Sequence, residues 1–164
     1  MGPRRVIGMT ILALVFLAGC AGNPPRADFP RHPKDDERSF TPAQSEVIKT
    51  ARSLLGRPYR FGGTTPEGFD CSGFVGYVYR RAARLALPRE THELVHSGKP
   101  VSVAEIAPAD LVYFKIEHQK PLHVGIYIGD GKFIHAPSAR GHVNIQNLGE
   151  EYWRDRYLGA RRLL

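Results

Sequence analysis

Two stretches of helical periodicity are followed by five short β-like runs, each bounded by Pro, Gly or Asp, and this order leaves few possible folds. The first helix is announced by Thr41-Pro42-Ala43-Gln44: a capping hydroxyl, a proline at the first helical position, and a Gln three residues after the cap. Val47, Ile48, Ala51, Leu54 and Leu55 then recur at helical spacing until Gly56, which predicts an amphipathic helix over 41–55. Gly56 to Phe69 reads as loop, broken by Gly62-Gly63 and Pro66. A second helix is predicted from about Cys71 to Arg84, with Asp70 as its N-cap, an apolar face of Phe74, Val75, Val78 and Ala82, and arginines in its last turn. A short helical piece is expected near Glu90 to His96.

After Pro100 the texture changes. Leu111–Ile116, Leu122–Ile128, Lys132–Ala136 and His142–Leu148 read as strands, and a last strand is expected over Tyr157–Leu163 after a helical turn at Glu151–Arg156. Asp130-Gly131 signals a hairpin. Helices first and consecutive strands afterwards predict an α+β domain, with N-terminal helices packed on an antiparallel sheet of about five or six strands.

With 164 residues there is room for one such domain over 41–164. The preceding part has another character. Arg4 and Arg5 precede an apolar run, Val6 to Ala18, that is shorter than the roughly 20 residues needed to span a bilayer. Residues 1–19 therefore read as a signal peptide. The run ends in Leu17-Ala18-Gly19-Cys20, which resembles a lipobox, so Cys20 is the expected lipidation site and mature N-terminus. Residues 20–40 contain Pro24, Pro25, Pro30 and Pro33 among mixed charges and read as a tether, spanning on the order of 25 Å as a coil.

Two of the 23 basic residues and none of the 16 acidic ones precede Cys20, leaving +5 on the mature part. That charge suits an anionic lipid surface or an anionic wall polymer and selects neither. Nothing resembles a nucleic-acid module. The chain has two cysteines. Once Cys20 is lipidated, Cys71 has no intramolecular partner and is either a buried, inert thiol or a reactive one.

Cys71 stands after a glycine-rich loop and at the first turn of a helix, where orphan N–H groups and the positive dipole end favour a thiolate and predict a lowered pKa. A nucleophilic thiol needs a base, and the base an orienting group. His123 opens one predicted strand and His135 closes the next, a natural pair for those roles. His92 and His96 fit a solvated face, and His118 and His142 lie at turns. Strand parity imposes a condition. A plain two-residue turn at Asp130-Gly131 would set Ile126 opposite His135 and put the two histidines on opposite faces. A shared site therefore requires a bulge or a three-residue connection, for which a type I turn with a G1 bulge is suited.

The segment Gly56 to Val78, with Gly68-Phe69-Asp70-Cys71-Ser72-Gly73-Phe74 at its centre, resembles the signature of the NlpC family of papain-like cell-wall cysteine peptidases. Leu87-Pro88-Arg89, Ala109-Asp110-Leu111-Val112, His123 to Gly129 and Phe133-Ile134-His135-Ala136 match later blocks in order, and the ending from Tyr152-Trp153 is similar to the lipoprotein murein endopeptidase branch. The resemblance implies Cys71 as nucleophile, His123 as base and His135 as its orienting residue. It also implies Tyr59 at the oxyanion, and Asp70, Ser72 and Arg89 near the substrate's stem peptide. Where many relatives carry Gln, this chain has Leu94. The implied protein is a peptidoglycan hydrolase without metal or cofactor, exported, monomeric, and anchored by its lipid at the periplasmic face of the outer membrane. Two other readings differ in class. In one, Cys71, His123 and His135 ligate Zn²⁺; in the other, the chain is a catalytically silent peptidoglycan-binding lipoprotein.

Overall fold

The structure, a computed structural model, describes residues 40–116, 122–139 and 141–164, together with Gly2 and Phe29. Apart from Gly2 the stretch read as a signal peptide lies outside the described residues, as do Cys20, most of the segment read as a tether, and His118. Among the described residues no helix is long and apolar enough to cross a membrane.

Helix α1 spans Pro42–Ser53, and the anticipated capping box is formed: Thr41 Oγ1 accepts from the Gln44 N–H, and Gln44 Oε1 accepts from the Thr41 N–H. Val47, Ile48 and Ala51 are buried along one face, as their spacing required. Between Gly56 and Phe69 the chain is not simply loop, because β1 (Thr64–Thr65) and β2 (Gly68–Phe69) form a small antiparallel hairpin. Two residues per strand leave no period for a sequence to display. Helix α2 runs Cys71–Ala83 and is capped by the Asp70 carboxylate, which accepts from the Gly73 N–H at 2.8 Å. It ends at Arg84 in the left-handed region. Helix α3 is one turn, Thr91–Leu94.

The remaining strands are β3 (Lys99–Val101), β4 (Leu111–Lys115), β5 (Leu122–Gly129), β6 (Lys132–His135), β7 (Asn144–Asn147) and β8 (Tyr157–Arg162), with helix α4 (Glu151–Arg154) before the last. They form one antiparallel six-stranded sheet in the order β3-β8-β4-β5-β6-β7, so the fold is α+β as expected. Strand β3 was not anticipated. Its Pro100 cannot donate to a ladder, which is tolerated because β3 is an edge strand paired only with β8.

Alternation along the strands builds two cores. Leu111, Tyr113, Val124, Ile126 and Ile134 face α1 and α2, whose Val47, Ala51, Phe74, Val75 and Val78 complete the first. Val112, Phe114, Tyr127, Phe133 and Trp153 form the second, on the other face. Phe29, from the segment read as tether, packs on this second core with its ring edge-on to Tyr157 at 4.9 Å. Asp110 is buried and held by the Arg162 guanidinium through both oxygens, at 2.9 and 2.7 Å, which ties the start of β4 to the end of β8.

Candidate active site

The β5–β6 hairpin decides whether the two histidines can meet. Asp130 and Gly131 both have positive φ, as a primed two-residue turn requires, and Gly129 pairs with Lys132 across it. The register then shifts between Tyr127 and Gly129, so that Tyr127 faces Phe133 and Ile126 faces Ile134. The bulge demanded by parity is present, although it lies in β5 at Ile128 rather than within the turn. His123 and His135 consequently share a face, and His123 Nε2 lies 2.7 Å from His135 Nδ1. Gly125 makes the space for this contact. A Cβ there would stand 2.7 Å from the Phe133 ring and 3.3 Å from the His135 Cβ.

Both imidazoles, with Cys71 and Tyr59, line a cavity of about 670 Å³ whose other walls include Phe61, Ile116, Leu122, Tyr152 and Trp153. Cys71 is 6% exposed, and its sulfur lies 3.7 Å from the Thr91 hydroxyl. The sulfur packs with the helix-side core, whereas the histidines project from the opposite face of the sheet; the cavity spans the start of β5, where the Val124 N–H donates to the sulfur. The His123–His135 hydrogen bond occupies Nε2 of His123 and leaves its Nδ1 outside that bond. Tying the two rings to each other in this way does not suit shared zinc ligation, and among the described residues no group of three His, Cys, Asp or Glu side chains is arranged to hold a metal.

Burial pushes the Cys71 thiol up, and the Asp70 carboxylate adds to the rise, while the Thr91 hydroxyl and the N–H groups of Val124 and Ser72 pull it down. The lowered pKa expected from the helix start is not found. A dipole contributes about 0.3–1 kcal/mol, and desolvation of a buried thiolate outweighs it. Burial likewise lowers His123 to about 4. Burial therefore favours the neutral form of each group, thiol and imidazole alike. The Tyr59 hydroxyl is raised by burial and then by the neighbouring Cys71 and Asp70, so it stays a proton donor.

Asp70, Ser72 and Arg89 are brought together, but not in the cavity wall. Arg89 reaches both Asp70 oxygens, at 3.1 and 2.7 Å, and the Ser72 hydroxyl at 2.8 Å, while the Gly62 N–H also donates to Asp70. Their polar groups are engaged with one another behind the first turn of α2, where they hold Cys71 in place. Leu94 is fully buried in the helix-side core, which accounts for an apolar residue at that position. His92, His96 and His142 are exposed.

The Asp70–Arg89 pair yields a prediction. Asp70 is 2% exposed and Arg89 40%. Asp70→Ala orphans two amide donors, the buried Gly73 N–H of the helix cap and the Gly62 N–H, and is expected to cost about 3 kcal/mol in urea unfolding. Arg89→Ala leaves Asp70 with its amide and hydroxyl donors and should cost only about 1 kcal/mol, because a half-exposed guanidinium is already screened by water. Equal losses would contradict this account of the pair.

Residues 56–162 match the NlpC/P60 family. The chain belongs to that family. Murein DD-endopeptidase MepS/Murein LD-carboxypeptidase of Escherichia coli K12 is 46% identical to this NlpC/P60 chain over 121 residues, covering 74% of this chain and 63% of the relative. Probable endopeptidase NlpC of the same organism is 36% identical over 156 residues, covering 94% and 97%. Among solved structures, an NlpC/P60 family protein from Bacillus cereus ATCC 10987 matches with a TM-score of 0.69 at 36% identity, over 76% of this chain and 41% of that one. The chain spans between 29% and 49% of the length of several other curated relatives that it matches. Sequence reasoning missed Thr91, Trp153, Asn144 and Gln146 as neighbours of the site; only the Tyr152-Trp153 ending had pointed that way.

Proposed function

We propose that this chain is a peptidoglycan hydrolase, a cysteine peptidase that cuts peptide bonds of cell-wall stem peptides or their cross-links. The observation that carries this reading is the His123–His135 hydrogen bond inside the cavity to which Cys71, at a helix start, contributes. The names borne by the relatives, murein endopeptidases, support the substrate class.

In this reading the Cys71 sulfur attacks a stem-peptide carbonyl as its proton passes to His123 Nδ1. The oxyanion is met by the Cys71 N–H and the Tyr59 hydroxyl, where one lost donor typically costs about 10²–10³ in rate. The tetrahedral species expels the amine, which takes the proton from His123. Water, deprotonated by His123, then hydrolyses the thioester and restores the thiol. His135 orients the base. Of the two bonds the family resemblance allows, D-alanyl–diaminopimelate and γ-D-glutamyl–diaminopimelate, we place the cross-link first, on the lipoprotein-like ending. Lipidation at Cys20 would tether the domain of residues 41–164 to a membrane, and Ala21 after that cysteine suits sorting to an outer one.

Digestion of purified sacculi, with mass spectrometry of the released fragments, tests the proposal. The expected result is stem peptides cut at one diaminopimelate bond, with cleavage blocked by thiol alkylation and indifferent to a chelator. Unchanged sacculi, or cleavage lost to chelator alone, would overturn it.

A further inference from the structure

The hydrogen bonds do not stop at His135. Strand β7 pairs with β6 so that Asn144 lies opposite His135 and Gln146 opposite Phe133, which places both polar side chains on the histidine face. His135 Nε2 lies 3.2 Å from Asn144 Oδ1, Gln146 Nε2 donates to that same oxygen at 2.8 Å, and Trp153 Nε1 donates to Gln146 Oε1 at 3.4 Å. The Trp153 ring closes the circuit, stacked over His123 at 6.0 Å and edge-on to His135 at 4.9 Å.

Two fixed points give this chain a direction. The indole N–H can only donate, so Gln146 must offer it oxygen and turn its amide nitrogen towards Asn144. The His142 carbonyl can only accept, and Asn144 Nδ2 donates to it at 3.0 Å, so Asn144 must turn its oxygen towards His135. His135 then carries its proton on Nε2 and has a lone pair on Nδ1. His123 fills that lone pair with its own Nε2–H, which leaves Nδ1 of His123 unprotonated, in a ring that shares its cavity with Cys71.

We infer that Asn144, backed by Gln146 and Trp153, is a positioning residue that sets the tautomers of both histidines, so that His123 presents a basic nitrogen to the thiol. The inference rests on the reading of Cys71 as nucleophile and His123 as base. Asn144 touches no reacting atom; it acts through His135. Cys71, Tyr59, His135, Glu150 and Tyr152 are the titratable groups that share the cavity with His123.

Imidazole nitrogen NMR of the wild-type protein at neutral pH tests the tautomers without reference to activity. Both rings should be protonated on Nε2, and a His135 protonated on Nδ1 would overturn the inference even if the protein proved an active peptidase. On a cleavable wall peptide, Asn144→Ala should lower kcat by roughly 10- to 100-fold, the range in which outer partners of working histidines act, with KM little changed. Asn144→Asp still accepts from His135 and adds a negative charge that favours the imidazolium. It should recover most of the lost kcat and move the acid limb of kcat/KM to higher pH. An unchanged kcat in Asn144→Ala, or an acid limb unmoved in Asn144→Asp, would contradict the role. Activity persisting in Cys71→Ala would instead remove the underlying reading, while the NMR result would stand by itself.

Discussion

Cys71→Ala is expected to lower hydrolysis of wall peptide by roughly 10⁴–10⁶-fold, as removal of the nucleophile does in hydrolases that work as a unit. The fold should survive, because the exchange removes one sulfur from the wall of a cavity and leaves the Asp70 cap of α2 intact. His123→Ala is expected to cost nearly as much. The double variant should be little worse than either single one, since in the proposed mechanism sulfur and imidazole perform one proton-coupled step and the second loss removes nothing that still functions. Multiplied losses in the double variant would mean that the two groups act independently. Rates on a defined wall peptide, with circular dichroism as the folding control, decide between these outcomes.

The largest stability effect is predicted at a residue with no chemistry. A Cβ on Gly73 would stand 2.0 Å from the carbonyl oxygen of Gly63 and 3.0 Å from the Asp70 carboxylate. The Gly63 carbonyl cannot retreat without loss. It accepts from the Asp70 N–H, and its own residue is wedged, since a Cβ on Gly63 would meet the Gly68 carbonyl oxygen at 2.2 Å. Gly73→Ala must therefore push the first turn of α2 off the β1–β2 hairpin. Overpacking costs about 1–3 kcal/mol and a lost cap about 1 more, a large share of a typical 5–15 kcal/mol. We expect a fall of about 3–4 kcal/mol in urea unfolding, with activity reduced because Cys71 moves with that turn. Gly76, one helical turn further on, is the control. A Cβ there meets nothing within 4 Å, so Gly76→Ala should stabilise by about 0.5–1 kcal/mol. Similar behaviour of the two variants would contradict the steric argument.

Helix α1 was legible because its signals agree: hydroxyl cap, proline, returning Gln and an apolar stripe all point to one start and one face. The strands from β4 to β8 were legible through their breakers, and the bulge in β5 through parity, since no other register lets His123 and His135 share a face. Its position at Ile128 was not legible, because both a bulged turn and a bulged strand satisfy the same count. The small elements β1, β2 and β3 are held by long-range partners and carry no local period. The thiol was misjudged for a related reason. A helix start can be read from neighbouring residues, but the burial that raises Cys71 comes from long-range packing in the helix-side core, which the sequence does not place beside it. Likewise, the buried cluster of Asp70, Ser72 and Arg89 depends on a contact 19 residues away in the chain, and a motif alone does not separate substrate contact from support.

The sulfur and the imidazole can be tested without knowing the substrate, by following the rate of Cys71 alkylation with iodoacetamide against pH in the wild type and in His123→Ala. If His123 accepts the thiol proton, the wild-type rate should already be high at neutral pH, below the raised thiol pKa, and fall only as the solution approaches the imidazole's pKa of about 4. In His123→Ala it should be lower at neutral pH by at least about tenfold and recover only under alkaline conditions. Superimposable profiles would mean that the histidine never reaches the sulfur, and would contradict the account at its centre.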